Sequence, residues 1–355
     1  MGGVESVFAF ELLDRGKFYV PIPSDVYYPL RMFTQKIRTS PRKKKRKRQD
    51  ENPIVPQFIE FINSPSKINS VYEYGSSNST LFVDSVFHFF NQFDSLKSYW
   101  DSQCRAGTIF SKQCRMMYVY ETDGRVLTEK YMDKNREYYD TKFIQSALYT
   151  ALTHRISCAI PLFLSLLAEG DEHANMGFLK YNSETNTVSC SIFEPHATQE
   201  DVDPTVRAVR SFLEGIIEST GSAPPPTLNV TSPWHEKGLQ GGSPICVQWS
   251  LLMFFTFMLN CEVGGGGCNM ALEKELLMHV FRNRSSIMPI WMYYMDTTIV
   301  RSKFVPGGDL GKEEFDPDTE LDVYRCSEQK SPCSYPCAPQ KDGDGCYNKL
   351  LFPEK

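Results

Sequence analysis

The stretch HANMGFLKYNSETNTVSCSIFEPH, residues 173–196, decides how this chain is read. Residues 175–181 and 187–194 are strand-like runs rich in aromatic and β-branched side chains, and Asn182-Ser183-Glu184-Thr185-Asn186 between them are turn formers. Together they predict an antiparallel hairpin. The head of the first strand then lies beside the end of the second, so His173 and Glu194 become neighbours despite 21 positions of separation. A carboxylate bonded to one imidazole nitrogen fixes the tautomer and leaves the other nitrogen to take up a proton. Asn175 is a second candidate for that orienting role. His196 is expected on the opposite or next face, as an exposed loop residue.

Outward from the hairpin, Gly241-Gly242-Ser243-Pro244 leads into residues 246–260, CVQWSLLMFFTFMLN, which are apolar on nearly every side. That pattern predicts a central, buried helix. Cys246 opens it, where the partial positive charge of the helix N-terminus stabilises a negative sulfur. Gln240, six positions earlier, can direct its amide N–H at an oxyanion beside the backbone N–H of Cys246. Upstream, residues 142–168 carry apolar positions at helical spacing with Pro161 as a kink, and are expected as one buried helix. Asp203 and Pro204 read as the cap and first turn of another, with Val206, Val209, Leu213 and Ile216 on its apolar face. Gly264 to Gly267 stop the central helix, and a further helix is expected over 270–284.

The 355 residues carry 38 Lys+Arg against 43 Asp+Glu, a formal charge of −5. Arg42, Lys43, Lys44, Lys45, Arg46, Lys47 and Arg48 are seven consecutive basic residues; without them the count is 31 against 43, or −12. Like charges at this density cannot be buried, so 36–52 is expected as a solvated loop that meets a nuclear import receptor or nucleic-acid phosphates. With 41% hydrophobic and 13% aromatic residues the chain is neither disordered nor fibrous. No apolar run approaches the roughly 20 residues that span a bilayer, and the N-terminal residues lack the order of a secretion signal. Gly2 and Ser6 fit a myristoylation pattern too short to assign. Eleven cysteines without a secretion signal are expected as free thiols in a reducing compartment, and most of the seven scattered ones, Cys104, Cys114, Cys158, Cys190, Cys246, Cys261 and Cys268, as small buried apolar residues. Cys326, Cys333, Cys337 and Cys346 have gaps of seven, four and nine, unlike the paired knuckles of zinc sites, so no metal and no cofactor are expected.

The order His173, Glu194, Gln240, Cys246 resembles the adenovirus protease and the ubiquitin-like-protein proteases of the same clan. The segments that carry the likeness are His173-Ala-Asn175, Phe193-Glu194-Pro195 and Cys246-Val-Gln-Trp-Ser250, over roughly residues 145–285; they look most like protease-like proteins of nucleocytoplasmic large DNA viruses. The resemblance implies an α+β, adenain-like cysteine protease core, a mixed sheet packed on helices with the nucleophile at the start of a buried helix. It also implies a papain-like hydrolase of peptide or isopeptide bonds, with Cys246 as nucleophile, His173 as base, Glu194 orienting it and Gln240 in the oxyanion hole. Substrates would be ubiquitin-like conjugates or viral precursors, and the location host cytoplasm, nucleus or virion. Pro244-Ile245 before the cysteine and Ala174 after the histidine depart from the clan pattern.

The expected segments are an N-terminal packing region (1–35), the basic loop (36–52), an accessory region of mixed helix and strand (53–140), the protease-like domain (141–300) and a Cys/Pro-rich tail (301–355). Two other readings stay open. One is a catalytically silent virion structural or interaction protein, since fold does not imply turnover. The other is an acetyltransferase of the same clan, although no basic pocket for acetyl-CoA is evident near the catalytic segment.

Overall fold

A computed structural model describes residues 10–13, 18–39, 52–77, 82, 83, 86, 87, 90, 94–111, 114–120, 125–126, 136–167, 172–196, 199–232, 245–263 and 270–300. The architecture is α+β, a mixed sheet packed with helices. The basic run 42–48, Gln240, the Gly264–Gly267 turn and the C-terminal cysteines lie outside the described residues. The described chain divides into two compact units, each discontinuous or internal in sequence: one joins residues up to 87 with those from 245 onward, and the other takes 90–232.

The first unit begins with an antiparallel ribbon, β1 (Phe10–Leu13) and β2 (Phe18–Pro23). Phe18, Val20 and Ile22 alternate into the core. Residues 24–39 then form helix α1 (Ser24–Thr39), which the sequence reading of 1–35 as strands and loops, and of 36–52 as loop, does not contain. Pro29 and the aromatic Tyr27-Tyr28 disguise it, whereas burial of Tyr27, Leu30 and Phe33 at helical spacing holds it. Helices α2 (Ile54–Ile62) and α3 (Pro65–Ser77) follow. The buried helix α7 (Cys246–Met258) is central: every residue from Val247 to Met258 is buried. Its polar members are satisfied where they stand. Gln248 Nε2 donates to the Val71 carbonyl at 3.0 Å, the Gln248 carbonyl accepts Trp291 Nε1–H at 3.1 Å, and Thr256 Oγ1 donates to the Leu252 carbonyl. Beyond it a π-helical turn runs from Leu259 to Val263. There the Asn260 amide ties to β2 across 241 positions, accepting Tyr19 N–H and donating to the Tyr19 carbonyl, both at 2.8 Å. The last helix, α8, spans Met270–Tyr294, ten residues longer than its sequence pattern suggests, with Pro289 inside it. Cys261 is disulfide-bonded, which overturns the expectation of free thiols throughout.

The second unit is a seven-stranded sheet. It contains β3 (Ile109–Phe110), β4 (Arg115–Tyr120), β5 (Arg125–Val126), β6 (Cys158–Leu167), β7 (Glu172–Asn182), β8 (Thr187–Phe193) and β9 (Thr227–Thr231). The order is β5-β4-β6-β7-β8-β9, with β3 beside β6. Before it comes helix α4 (Asp94–Arg105), whose Trp100 stacks on Phe110 at 5.2 Å. Helices α5 (Arg136–His154) and α6 (Gln199–Thr220) share a core with the sheet: Ile144, Leu148, Val209 and Leu213 meet Leu162, Leu179 and Ile192. Met176, Phe178, Phe163 and Phe193 on the opposite face are buried as well.

The single helix expected over 142–168 is two elements. Helix α5 stops at His154, where Ile156 N–H bonds the Ala151 carbonyl and Arg155 N–H bonds the Leu152 carbonyl, a Schellman closure. Arg155 takes the left-handed conformation (φ 54°) that glycine usually supplies, so no residue type announces the stop. Residues 158–167 continue as β6, flanked on both sides and buried on both faces, which gives a continuous apolar run in place of alternation. Pro161 is tolerated because it falls between the β3 pairing at 158–159 and the β4 pairing from Leu162. Likewise α6 begins at Gln199, so Asp203 and Pro204 lie within the helix and do not open it.

Cys158 and Cys190 sit in this core, and burial raises both thiols, Cys190 from an ordinary 9.0 to about 12. Above pH 9 the unfolded chain ionises them while the folded chain keeps them neutral, so unfolding releases protons. Stability contributed below pH 9 is therefore lost as pH rises toward 12, by about 1.4 kcal/mol per pH unit for each thiol. Urea unfolding followed between pH 8 and 11 should show this slope, and Cys190→Ala should make it shallower.

Candidate active site

The hairpin forms as β7 and β8, paired antiparallel from Asn182↔Thr187 to Met176↔Phe193. Its turn is held by Asn182 Oδ1, which accepts the N–H groups of Glu184 and Thr185, and by Asn186 in the left-handed region (φ 50°). Register carries the geometry to the far end. On β6, Leu166 pairs with His173 and Leu164 with Asn175, which puts both hairpin residues on the sheet face that α5 and α6 cover.

At that end His173 Nε2 and Glu194 Oε1 are 2.7 Å apart. Glu194 is 1% exposed and the His173 side chain 16%. The same Oε1 accepts the backbone N–H of His196 at 2.7 Å. With Nε2–H donated to the carboxylate, the lone pair of the imidazole resides on Nδ1, where a base needs it. Asn175 is fully buried and neither amide atom has a hydrogen-bond partner, so it does not orient the ring.

His196 is not an exposed loop residue. It is half-buried and its ring stacks on His173, with centroids 4.6 Å apart and planes 18° from parallel. Residues 194 and 196 are two apart in nearly extended chain and so project to one side, and the ladder register extrapolates to place 196 opposite 173. Parity was the signal that would have found it.

Cys246 belongs to the first unit, and His173, Glu194 and His196 to the second. Cys246 is the first residue of α7; Ile245 before it supplies no side-chain cap, and Trp249 N–H bonds the Ile245 carbonyl at 3.0 Å. The leading N–H groups of the helix, including that of Cys246, have no acceptor within it. Among the free cysteines Cys114, Cys158, Cys190 and Cys246, the first three are buried and Cys246 is half-buried. Among the described residues no helix is long and apolar enough to cross a membrane.

No family model and no curated protein matches the sequence. Solved structures of the Legionella pneumophila effector protein RavZ are similar in part. One has 7% identity and a TM-score of 0.27 over 50% of this chain and 50% of that one. A second has 8% identity and a TM-score of 0.28, over 53% and 52%. A third has 8% and 0.29, over 59% and 75%. The first two alignments thus span about half of the solved chains, and no residue role is carried over from them.

Proposed function

We propose that this chain is a cysteine-type hydrolase of peptide or isopeptide bonds. The observation that carries the reading is the His173–Glu194 pair: a buried carboxylate 2.7 Å from Nε2 leaves Nδ1 with a lone pair. Cys246 supports it as the half-buried thiol at the start of a buried helix. In the proposed reaction His173 Nδ1 takes the Cys246 thiol proton and the sulfur attacks the scissile carbonyl. The protonated imidazole then gives that proton to the leaving amine, and water hydrolyses the thioester. Glu194 holds the ring through Nε2, and Gln240 and the Cys246 backbone N–H receive the oxyanion. Substrates in this reading are ubiquitin-like conjugates or protein precursors, in a viral or host setting. The basic run 42–48 serves location or nucleic-acid contact.

The test uses ubiquitin-like and peptide probes ending in a cysteine-reactive group, incubated with the full chain. Labelling of wild type and none of Cys246→Ala is the expected result. Equal labelling of the two proteins across the probe set overturns the proposal.

A further inference from the structure

We infer that His173, Glu194 and His196 form a binding site for a zinc-class transition-metal cation. One ligand atom from each of these side chains lies within 4.8 Å of the others. Independently, Glu194 is 1% exposed and its Oε2 has no hydrogen-bond partner. A buried carboxylate oxygen left unpaired is costly, and a cation is what would offset it. Both imidazoles gather at this one carboxylate, His173 through its side chain and His196 by stacking on that ring.

The donor set selects the ion. Two imidazoles and a carboxylate suit zinc, whereas calcium and magnesium take oxygen ligands. Zinc bonds nitrogen and carboxylate oxygen at about 2.0–2.2 Å, so a tetrahedral shell needs ligand atoms roughly 3.5 Å apart. The ligand atoms must therefore draw together by about an ångström. The His196 ring supplies that movement by rotation of its side chain, while its backbone, beyond the end of the β7–β8 ladder at Phe193, stays on Glu194 Oε1. Three protein ligands leave a fourth position for water. Both rings are half-buried, so solvent reaches them. All three residues belong to one unit of the fold.

Zinc taking His173 Nε2 would move the ring proton to Nδ1 and remove the lone pair on which the proposed hydrolysis depends. Inhibition by the metal rests on that reading of function; binding of the metal does not.

The experiment is a calorimetric titration of the full chain with zinc chloride, repeated with cobalt(II) and read by absorption. Wild type should bind zinc, and His196→Ala should lose that binding by at least about 100-fold, beyond the 10–100-fold cost of losing an outer-shell partner. The part of the cobalt spectrum lost in the variant should show tetrahedral ligand-field bands without a thiolate charge-transfer band. Glu194→Gln serves as the second variant, with far-UV circular dichroism reporting the fold. The inference is overturned if wild type binds no zinc, if both folded variants bind as wild type does, or if the lost spectrum is that of a thiolate site. An unreactive Cys246 would overturn the hydrolase reading and leave this titration untouched.

Discussion

Exchanging His173 for Gln should slow acylation of Cys246 by at least about 100-fold while the fold persists, because general-base transfer contributes roughly 10²–10⁴ in rate. Gln is the informative replacement. Its amide N–H can still donate to Glu194 Oε1, which His173 Nε2 approaches at 2.7 Å, so the carboxylate is not stranded. Alanine would leave that carboxylate buried without its partner, a loss that would blur chemistry with stability. An amide has no basic nitrogen, so the proton transfer proposed for the Cys246 thiol loses its acceptor. The measurement is the second-order rate of probe labelling, beside a urea unfolding midpoint. A rate within threefold of wild type in a folded variant would remove His173 from the proposed mechanism.

Glu194→Gln should cost a comparable factor, about 100-fold or more, by a different route. Glu194 Oε1 accepts from both His173 Nε2 and the His196 backbone, and Oε2 has no partner. An amide in that position faces two arrangements. With its oxygen toward the two donors, its NH₂ occupies the buried position of Oε2, which has no hydrogen-bond partner in the wild type, and a buried donor left without an acceptor costs about 1–3 kcal/mol. With its NH₂ toward His173, Nε2 must become the acceptor and the ring proton sits on Nδ1, the wrong tautomer for a base. The first arrangement weakens stability alone, and the second weakens rate and also turns a donor toward the His196 N–H. The pH–rate profile of labelling, read with the unfolding midpoint, separates them. A variant unchanged in both would show that the carboxylate neither orients nor stabilises.

Much of the site was legible because it depends on local rules. Turn residues at 182–186 and the runs on either side specify a hairpin, and antiparallel register then brings residue 173 to residue 194 whatever else the chain does. The helix after Gly241-Gly242-Ser243-Pro244 was legible for a similar reason, since a run apolar on every side must be buried. His196 was within reach of the same parity argument, because residues 194 and 196 of an extended chain project to one side and not to opposite faces. Helix α5 and strand β6 were not separable by pattern. A strand covered on both faces is as continuously apolar as a buried helix, and Arg155 closes α5 in a conformation its residue type does not advertise. The disulfide at Cys261 had no signature in spacing, because pairing depends on which side chains the fold brings together.

By itself the sequence determined the hairpin, the buried helix headed by Cys246, and the adjacency of His173 and Glu194, since each follows from period, turn chemistry or register over a few dozen residues. Tertiary structure decided the rest. It assigned residues 158–167 to the middle of a sheet, where neighbouring strands satisfy a backbone that solvent would otherwise claim. It also chose Glu194 over Asn175 as the partner of the ring, and brought the His196 ring onto His173 beside one buried carboxylate. Those outcomes depend on which groups are buried together, and burial is settled by packing between segments far apart in the chain.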